Sequence, residues 1–496
     1  MTQTISTPID VDLADLLDDL APDRGIWIDG RGRAAADGAA FHVEDPATLD
    51  TIAPVADGGP AEAAAAVDAA ATAFPGWAAT PARGRSEVLR RAFELMIADR
   101  ERLAALISWE NGKALDDARA EVTYAAEFFR WFAEEAVRTE GEYGAAPNGG
   151  ARTVVTHRPV GVAALVTPWN FPAAMATRKI GPALAAGCTV VLKPARETPL
   201  TALAIARILQ AAGLPRGVVN VVPTTRSAET VTTWLDDPRV RKISFTGSTS
   251  VGRTLLKQAA NRIVNSSMEL GGNAPFVVTE DADLGKAVAG AMIAKFRNAG
   301  QACTAANRFY VHADVVDEFV ALFGAAIEAL RVGPAFAEGT QLGPLVNGKA
   351  VADVTRLVEE AVAAGARTTH RGTVPAVGHF YPPTLLTQVA PDAAILSEEV
   401  FGPVAPVVVW SDEAELLRWV NSTPYGLAAY VYAGNLQRAL RLGEAIEAGM
   451  VGVNRGIVSD PSAPFGGVKE SGLGREGGRA GIREFQETQY LSVDWP

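Results

Sequence analysis

Apolar positions along the chain change their period twice. From residue 60 to 138 they recur at helical spacing, first in an Ala-rich run over 61–73 and then through RSEVLRRAFELMIADRERLAALISWE. Repeats of three and four residues mark one face of a helix, so this stretch is predicted helical. From Val160 onward, short apolar runs at 160–166, 189–192, 218–222 and 243–245 alternate with helical segments such as 201–212. That alternation predicts βαβ units around a parallel sheet. A second α/β run starts near 276–279 and continues to residue 470. Between the helical and βαβ parts, 141–150 is rich in Gly, and ARTVVTHRP after it reads as a strand. Together with the C-terminal FQETQYLSVDWP it predicts an arm. Residues 1–24 carry Asp10, Asp12, Asp15, Asp18 and Asp19 and predict an acidic helical lead that packs weakly.

Composition narrows the class. A chain of 496 residues is too long for one simple core, so two or three domains are expected. At 48% hydrophobic and 21% charged it is an ordinary globular sequence. Its net charge of −12 speaks against nucleic acid and against acidic membranes as partners. An anionic substrate would then be caught by local cations, not by the overall field. Cys188 and Cys303 are the only cysteines, which gives no disulfide framework and suggests a reducing compartment. The five histidines are scattered without ligand spacing, so no metal is expected. There is no basic, apolar leader and no apolar run of the ~18 residues that a membrane helix needs. The cytoplasm is the expected compartment.

Candidate chemistry begins at Cys303, in KFRNAGQACTAANR. A structural thiol is usually framed by apolar residues, as Cys188 is in AAGCTVVL. Cys303 is framed by Arg297, Asn298, Gly300, Gln301 and Thr304. Polar and cationic neighbours favour the thiolate, so Cys303 is expected to be a nucleophile. Glu269 lies 34 residues upstream in MELGGNAP, just before a Gly pair that lets a ligand approach the backbone. It reads as a general base for water or, taken alone, as a surface or capping carboxylate.

Three glycine patterns differ in meaning. GLGREG at 472–477 spells a dinucleotide fingerprint but follows a polar loop, with too little chain left for a βαβ unit. GSTSVGRT at 247–254 misses a P-loop because Arg253 stands where Lys is required. The same segment follows a strand and opens a helix, whose N-terminus suits a pyrophosphate.

Seven segments in one order carry a family resemblance. They are TPWNFP at 167–172, LKPA at 192–195, SFTGSTSVG at 244–252, MELGGNAP at 268–275, FRNAGQAC at 296–303, EEVFGP at 398–403 and PFGGVKESGLGRE at 464–476. The chain resembles the NAD(P)-dependent aldehyde dehydrogenase superfamily, and within it the succinate-semialdehyde dehydrogenases. The resemblance implies an α/β fold with a Rossmann-type cofactor domain, an α/β catalytic domain and a small bridging β-arm. It assigns 1–139 and 158–270 to dinucleotide binding, 271–475 to catalysis, and 140–157 and 476–496 to bridging between subunits of a homodimer or homotetramer.

The resemblance also implies roles. Cys303 attacks the aldehyde, Asn170 and the Cys303 backbone N–H hold the oxyanion, and Glu269 activates water against the thioester. The cofactor is held by Thr167, Pro168, Trp169, Asn170, Lys193, Pro194, Ala195, Arg196, Gly247, Ser248, Leu270, Glu399 and Phe401. Arg178, Arg297 and Ser459 match positions that bind the distal carboxylate of a semialdehyde. After LKPA, NAD-preferring members often carry a glutamate. Here Arg196 stands in that place, with Glu197 next, so NADP is expected ahead of NAD. Ala305 occupies the place where some members have a second cysteine, so no local disulfide is expected. The alternatives are a glutarate-semialdehyde dehydrogenase, a CoA-acylating enzyme, or a non-catalytic protein on the same fold.

Overall fold

The computed structural model describes residues 11–20, 24–138 and 141–495. Five parallel strands form the middle of the first sheet, in the order Asn265–Glu269, Val240–Thr246, Val162–Val166, Thr189–Lys193, Val219–Val221. Strand order reverses between Val162–Val166 and Val240–Thr246. In an open α/β sheet that switch point leaves a crevice beyond the carboxyl ends of the strands, where ligands bind. Gly472–Leu473 closes one edge antiparallel to Asn265–Glu269, and Ile26–Trp27 followed by Gly32–Arg33 extends the other beyond Val219–Val221.

The second sheet has seven strands: Arg367–Arg371, Thr384–Thr387, Val404–Trp410, Ala306–His312, Ala274–Val278, Ala428–Tyr432 and Met450–Val453. Only Arg367–Arg371 runs antiparallel to its neighbour. ARTVVTHRP forms the strand Ala151–Pro159, paired along its full length with Gln486–Asp494 and at the other edge with Glu142–Ala145. This three-stranded arm leaves Tyr143, Tyr490, Leu491, Val493 and Trp495 exposed.

The predicted helical stretch resolves into Pro60–Ala79, Ala82–Ala98, Arg100–Asn111 and Leu115–Ala136. The last buries Phe128, Phe129 and Phe132. Helix Pro172–Ala186 comes close enough that a Cβ on Gly181 would stand 3.1 Å from Phe132. Truncating such an aromatic typically costs ~3–5 kcal/mol. The contact holds the helix that carries Asp117, Glu121 and Tyr124 against the one that carries Arg178 and Lys179. One expectation is corrected. Helix Leu13–Leu20 in the acidic lead does pack, because Leu16 and Leu20 on one face are buried in the first core. Among the described residues no helix is long and apolar enough to cross a membrane.

Candidate active site

Asn170 sits in the turn between strand Val162–Val166 and helix Pro172–Ala186, at the switch point. Pro172 at the first helical turn has no N–H to lose there, and Gly187 ends the helix in a left-handed cap (φ 97°). The Asn170 amide donates to Gln301 O at 3.0 Å. An NH2 group has two donors, so the second remains for a ligand.

The Cys303 loop begins where helix Leu284–Phe296 stops. Asn298, Ala299 and Gly300 follow with φ of 50°, 54° and 76°. Left-handed backbone at a non-Gly residue costs ~1–2 kcal/mol, so two in succession need restraint from their surroundings. Asn298 N donates to Asp117 Oδ2 at 2.7 Å, and Gln301 Oε1 accepts from Val346 N at 2.9 Å. The Gly pair after Glu269 serves this packing. A Cβ on Gly272 would fall 2.3 Å from Cys303 O. The close approach expected of a ligand is thus made by the protein's own backbone.

Cys303 is half-buried, and burial pushes its thiol up to about 12. Arg178 and Arg297 pull the other way, while Glu399 and Glu269 add to the rise. This corrects the expectation of a favoured thiolate. The charges of two carboxylates from distant segments add to the loss of water in raising the thiol.

Glu269 ends strand Asn265–Glu269 and is 2% exposed. Neither carboxyl oxygen has a hydrogen-bond partner among the described residues. Burial holds its pKa well above the usual range, and the Glu476 charge raises it further. Arg178, Lys179 and Arg475 oppose the shift. Glu476 is ion-paired with Lys179 and, at 2.5 Å, with Arg178 Nε. Lys179 Nζ also donates to Ser244 Oγ at 2.9 Å.

A cleft of about 220 Å3 opens beside Cys303. Pro168, Trp169, Asn170, Gly247, Ser248, Leu270, Glu399 and Phe401 line it, joined by Met175, Thr246 and Gly271. Trp169 and Phe401 meet edge to face, with centroids 5.5 Å apart. Helix Thr249–Ala260 opens onto this cleft, and Ser248 before it makes no side-chain cap. Its first N–H groups suit a diphosphate. Glu399 accepts from Gly272 N at 3.3 Å, and burial raises its carboxyl to about 7.

Thr167, Lys193, Pro194, Ala195 and Arg196 are not among the cleft's lining residues. Lys193 ends strand Thr189–Lys193 with Nζ on Pro194 O and Ser227 Oγ, and burial lowers it to about 8. Thr167 N bonds to Lys193 O, which ties the two strand ends together. The Arg196 side chain is 63% exposed and lies 3.4 Å from Glu197.

Arg178, Arg297 and Ser459 come from three separate elements and share one neighbour. The Tyr124 phenol hydrogen-bonds with Arg178 and Ser459 and lies within reach of the Arg297 charge. Burial raises its phenol, so it stays protonated and able to donate. Phe128 fixes the ring edge to face at 4.9 Å. Phe171 underlies Arg297 at 5.2 Å, and Phe465 underlies Arg178 at 4.1 Å. Sequence reasoning misses Tyr124, Lys179 and Glu476. Tyr124 sits inside a helical pattern that reads as packing, and Glu476 falls within the GLGREG spelling, which is no nucleotide site.

The sequence pattern of the aldehyde dehydrogenase family matches residues 33–491, and the chain belongs to that family. A succinate-semialdehyde dehydrogenase of Paenarthrobacter nicotinovorans is 53% identical over 88% of this chain and 97% of its own. A glutarate-semialdehyde dehydrogenase of Pseudomonas putida is 48% identical over 94% of this chain and 97% of its own. The crystal structure of an E. coli NADP-dependent enzyme superposes with a TM-score of 0.94 at 46% identity, covering 97% of this chain and 99% of that one.

Proposed function

We propose that the chain oxidises succinate semialdehyde to succinate with a nicotinamide dinucleotide, NADP ahead of NAD. The observation that carries the substrate is the buried Tyr124 phenol, hydrogen-bonded with Arg178 and Ser459 and within reach of the Arg297 charge, a cationic, hydrogen-bonding setting that suits a distal carboxylate. The succinate-semialdehyde relative agrees with it. A glutarate semialdehyde is the second reading, favoured by the Pseudomonas putida relative. One methylene is worth only ~1–3 kcal/mol in such a pocket.

Cys303 Sγ forms a bond to the aldehyde carbon and releases its proton to solvent. The carbonyl oxygen becomes an oxyanion, held by the free Asn170 amide N–H and the Cys303 backbone N–H. A nicotinamide held in the cleft lined by Trp169, Leu270 and Phe401 would supply the two-electron hydride acceptor for that carbon. The oxyanion collapses to a thioester on Cys303. Glu269 takes a proton from water as the water oxygen attacks, the C–S bond breaks, and the thiol is restored. Aldehyde, oxidised dinucleotide and water thus give acid, reduced dinucleotide and a proton. Transfer to CoA needs no water-activating base, so Glu269 beside the thiol favours hydrolysis.

Lys193 and Glu399 suit the cofactor ribose hydroxyls, and the start of helix Thr249–Ala260 suits the diphosphate. Arg196 suits the 2′-phosphate of NADP, where a carboxylate would repel it. The division into dinucleotide-binding residues 1–139 and 158–270, catalytic residues 271–475, and bridging residues 140–157 and 476–496 belongs to this reading. So does a cytoplasmic homodimer or dimer of dimers, since the exposed apolar arm is an edge that proteins generally cover.

Glu269→Gln tests the chemistry. It should release a burst of reduced dinucleotide and then turn over poorly, whereas Cys303→Ala should release none. Steady turnover at the wild-type rate in the Glu269 variant refutes the base assignment.

A further inference from the structure

The turn that carries Asn170 is held at both ends by one buried ion pair. Lys113 and Glu121 face each other at 2.5 Å, with both side chains fully buried. Neither spends all its capacity on the other. Lys113 Nζ donates to Asn170 O at 2.8 Å. Glu121 Oε1 accepts from Ala173 N at 2.9 Å and Ala174 N at 3.2 Å, the first amides of helix Pro172–Ala186. The pair therefore grips the carbonyl of residue 170 and the amides of 173 and 174. Lys113 also stands 4.0 Å over the Phe171 ring, between those two points.

A second donor meets the same carbonyl. Asn298 Nδ2 reaches Asn170 O at 2.7 Å, from the strained turn that leads to Cys303. The Asn170 amide returns to Gln301 O in that turn. The helix after Lys113 enters the arrangement twice, through Glu121 and through Asp117 on Asn298 N. Backbone from residues 170–174 and from 298–301 is thus fixed by one segment, residues 113–121.

We propose that Lys113 and Glu121 are positioning residues for the oxyanion donor Asn170, rather than a device for holding the fold. A buried ion pair is weak grounds for stability, because apolar residues of similar volume often serve as well. What apolar residues cannot supply is a donor on the Asn170 carbonyl and an acceptor for the helix amides. Those contacts set where the free Asn170 N–H points. An error of about 1 Å in such a group costs on the order of 10²-fold in rate. The inference rests on Asn170 as the oxyanion donor.

The test uses the full chain and the variant Lys113→Met/Glu121→Gln, which removes both charges together and keeps an acceptor for the helix amides. The single-turnover burst of reduced dinucleotide should slow roughly 10- to 100-fold. KM and dinucleotide affinity should stay within about twofold, since uniform binding is untouched. Added to Asn170→Ala, the pair change should slow the burst no further, because groups acting as a unit are not additive. A wild-type burst in the folded double variant overturns the proposal, and so does a full additional loss in the Asn170→Ala background. If the double variant does not fold, Lys113→Arg keeps the charge and shifts the donor. A wild-type burst there overturns the proposal equally. Asn170→Ala alone separates the two levels. A full burst in it defeats the oxyanion assignment, whereas a slow burst beside a fast pair variant defeats only the positioning role.

Discussion

Arg178 Nε lies 2.5 Å from Glu476 Oε2, with both side chains buried. The Nε edge of the guanidinium belongs to the carboxylate that raises Glu269, and the guanidinium also faces Tyr124. On the proposed function, charge recognition of the substrate and proton chemistry at the base would share one residue.

Variants of the carboxylate recess should separate by substrate. Arg297→Ala is expected to lower kcat/KM for succinate semialdehyde roughly 10- to 100-fold, the worth of a charge-assisted bond. Tyr124→Phe keeps the edge-to-face ring and loses only a neutral donor, so a loss of about 2- to 10-fold is expected. Butyraldehyde should be nearly unaffected in both. Arg178→Ala should hurt both aldehydes, because it also strips Glu476 of a partner. Equal losses on both aldehydes in Arg297→Ala would mean that this arginine holds structure instead.

The pH profile of deacylation should report Glu476. Glu269 works as a base only when ionised, and its pKa is raised by burial and by the Glu476 charge. Turnover should therefore climb with pH through that raised value. Glu476→Gln removes a negative neighbour and leaves Arg178 and Lys179 without their shared counter-charge. Both changes favour ionised Glu269, so the rising limb should move to lower pH. A shift to higher pH in steady-state profiles would contradict this coupling.

Cofactor preference should turn on Arg196, an exposed guanidinium beside Glu197. Arg196→Glu should weaken NADP and spare or improve NAD. A higher kcat/KM with NAD in the wild type would shift attention to Glu197.

Peroxide should inactivate slowly and without a local disulfide. Burial keeps Cys303 a thiol, Cys188 is fully buried, and Ala305 offers no sulfur. Oxidation should then climb to sulfinic and sulfonic acids. Full recovery with dithiothreitol after prolonged exposure, with a Cys188–Cys303 crosslink in mass spectra, would disprove it.

Segments whose role is local are legible in the order of residues alone. The period change near residue 160 marks the first parallel sheet, and ARTVVTHRP is the arm strand residue for residue. Nine residues named from motifs, Cys303 among them, meet in one cleft: six follow strands of the first sheet, while Cys303, Glu399 and Phe401 come from loops that lead into strands of the second. The packing of Leu13–Leu20 is not legible in this way, because an acidic composition hides a two-leucine face.

Residue type and order are enough to mark a thiol, a carboxylate and an amide as the candidate reacting set, since those functional groups exist in the chain whether or not it is folded. Their protonation is not. Cys303 and Glu269 are both raised because burial removes water and brings together carboxylates from residues 269, 399 and 476. The pairing of Arg178 with Glu476, the grip of Lys113 and Glu121 on Asn170, and the place of Tyr124 all join segments far apart in sequence. Such contacts come from packing, and the electrostatics of a site are set by distance in space rather than by separation along the chain.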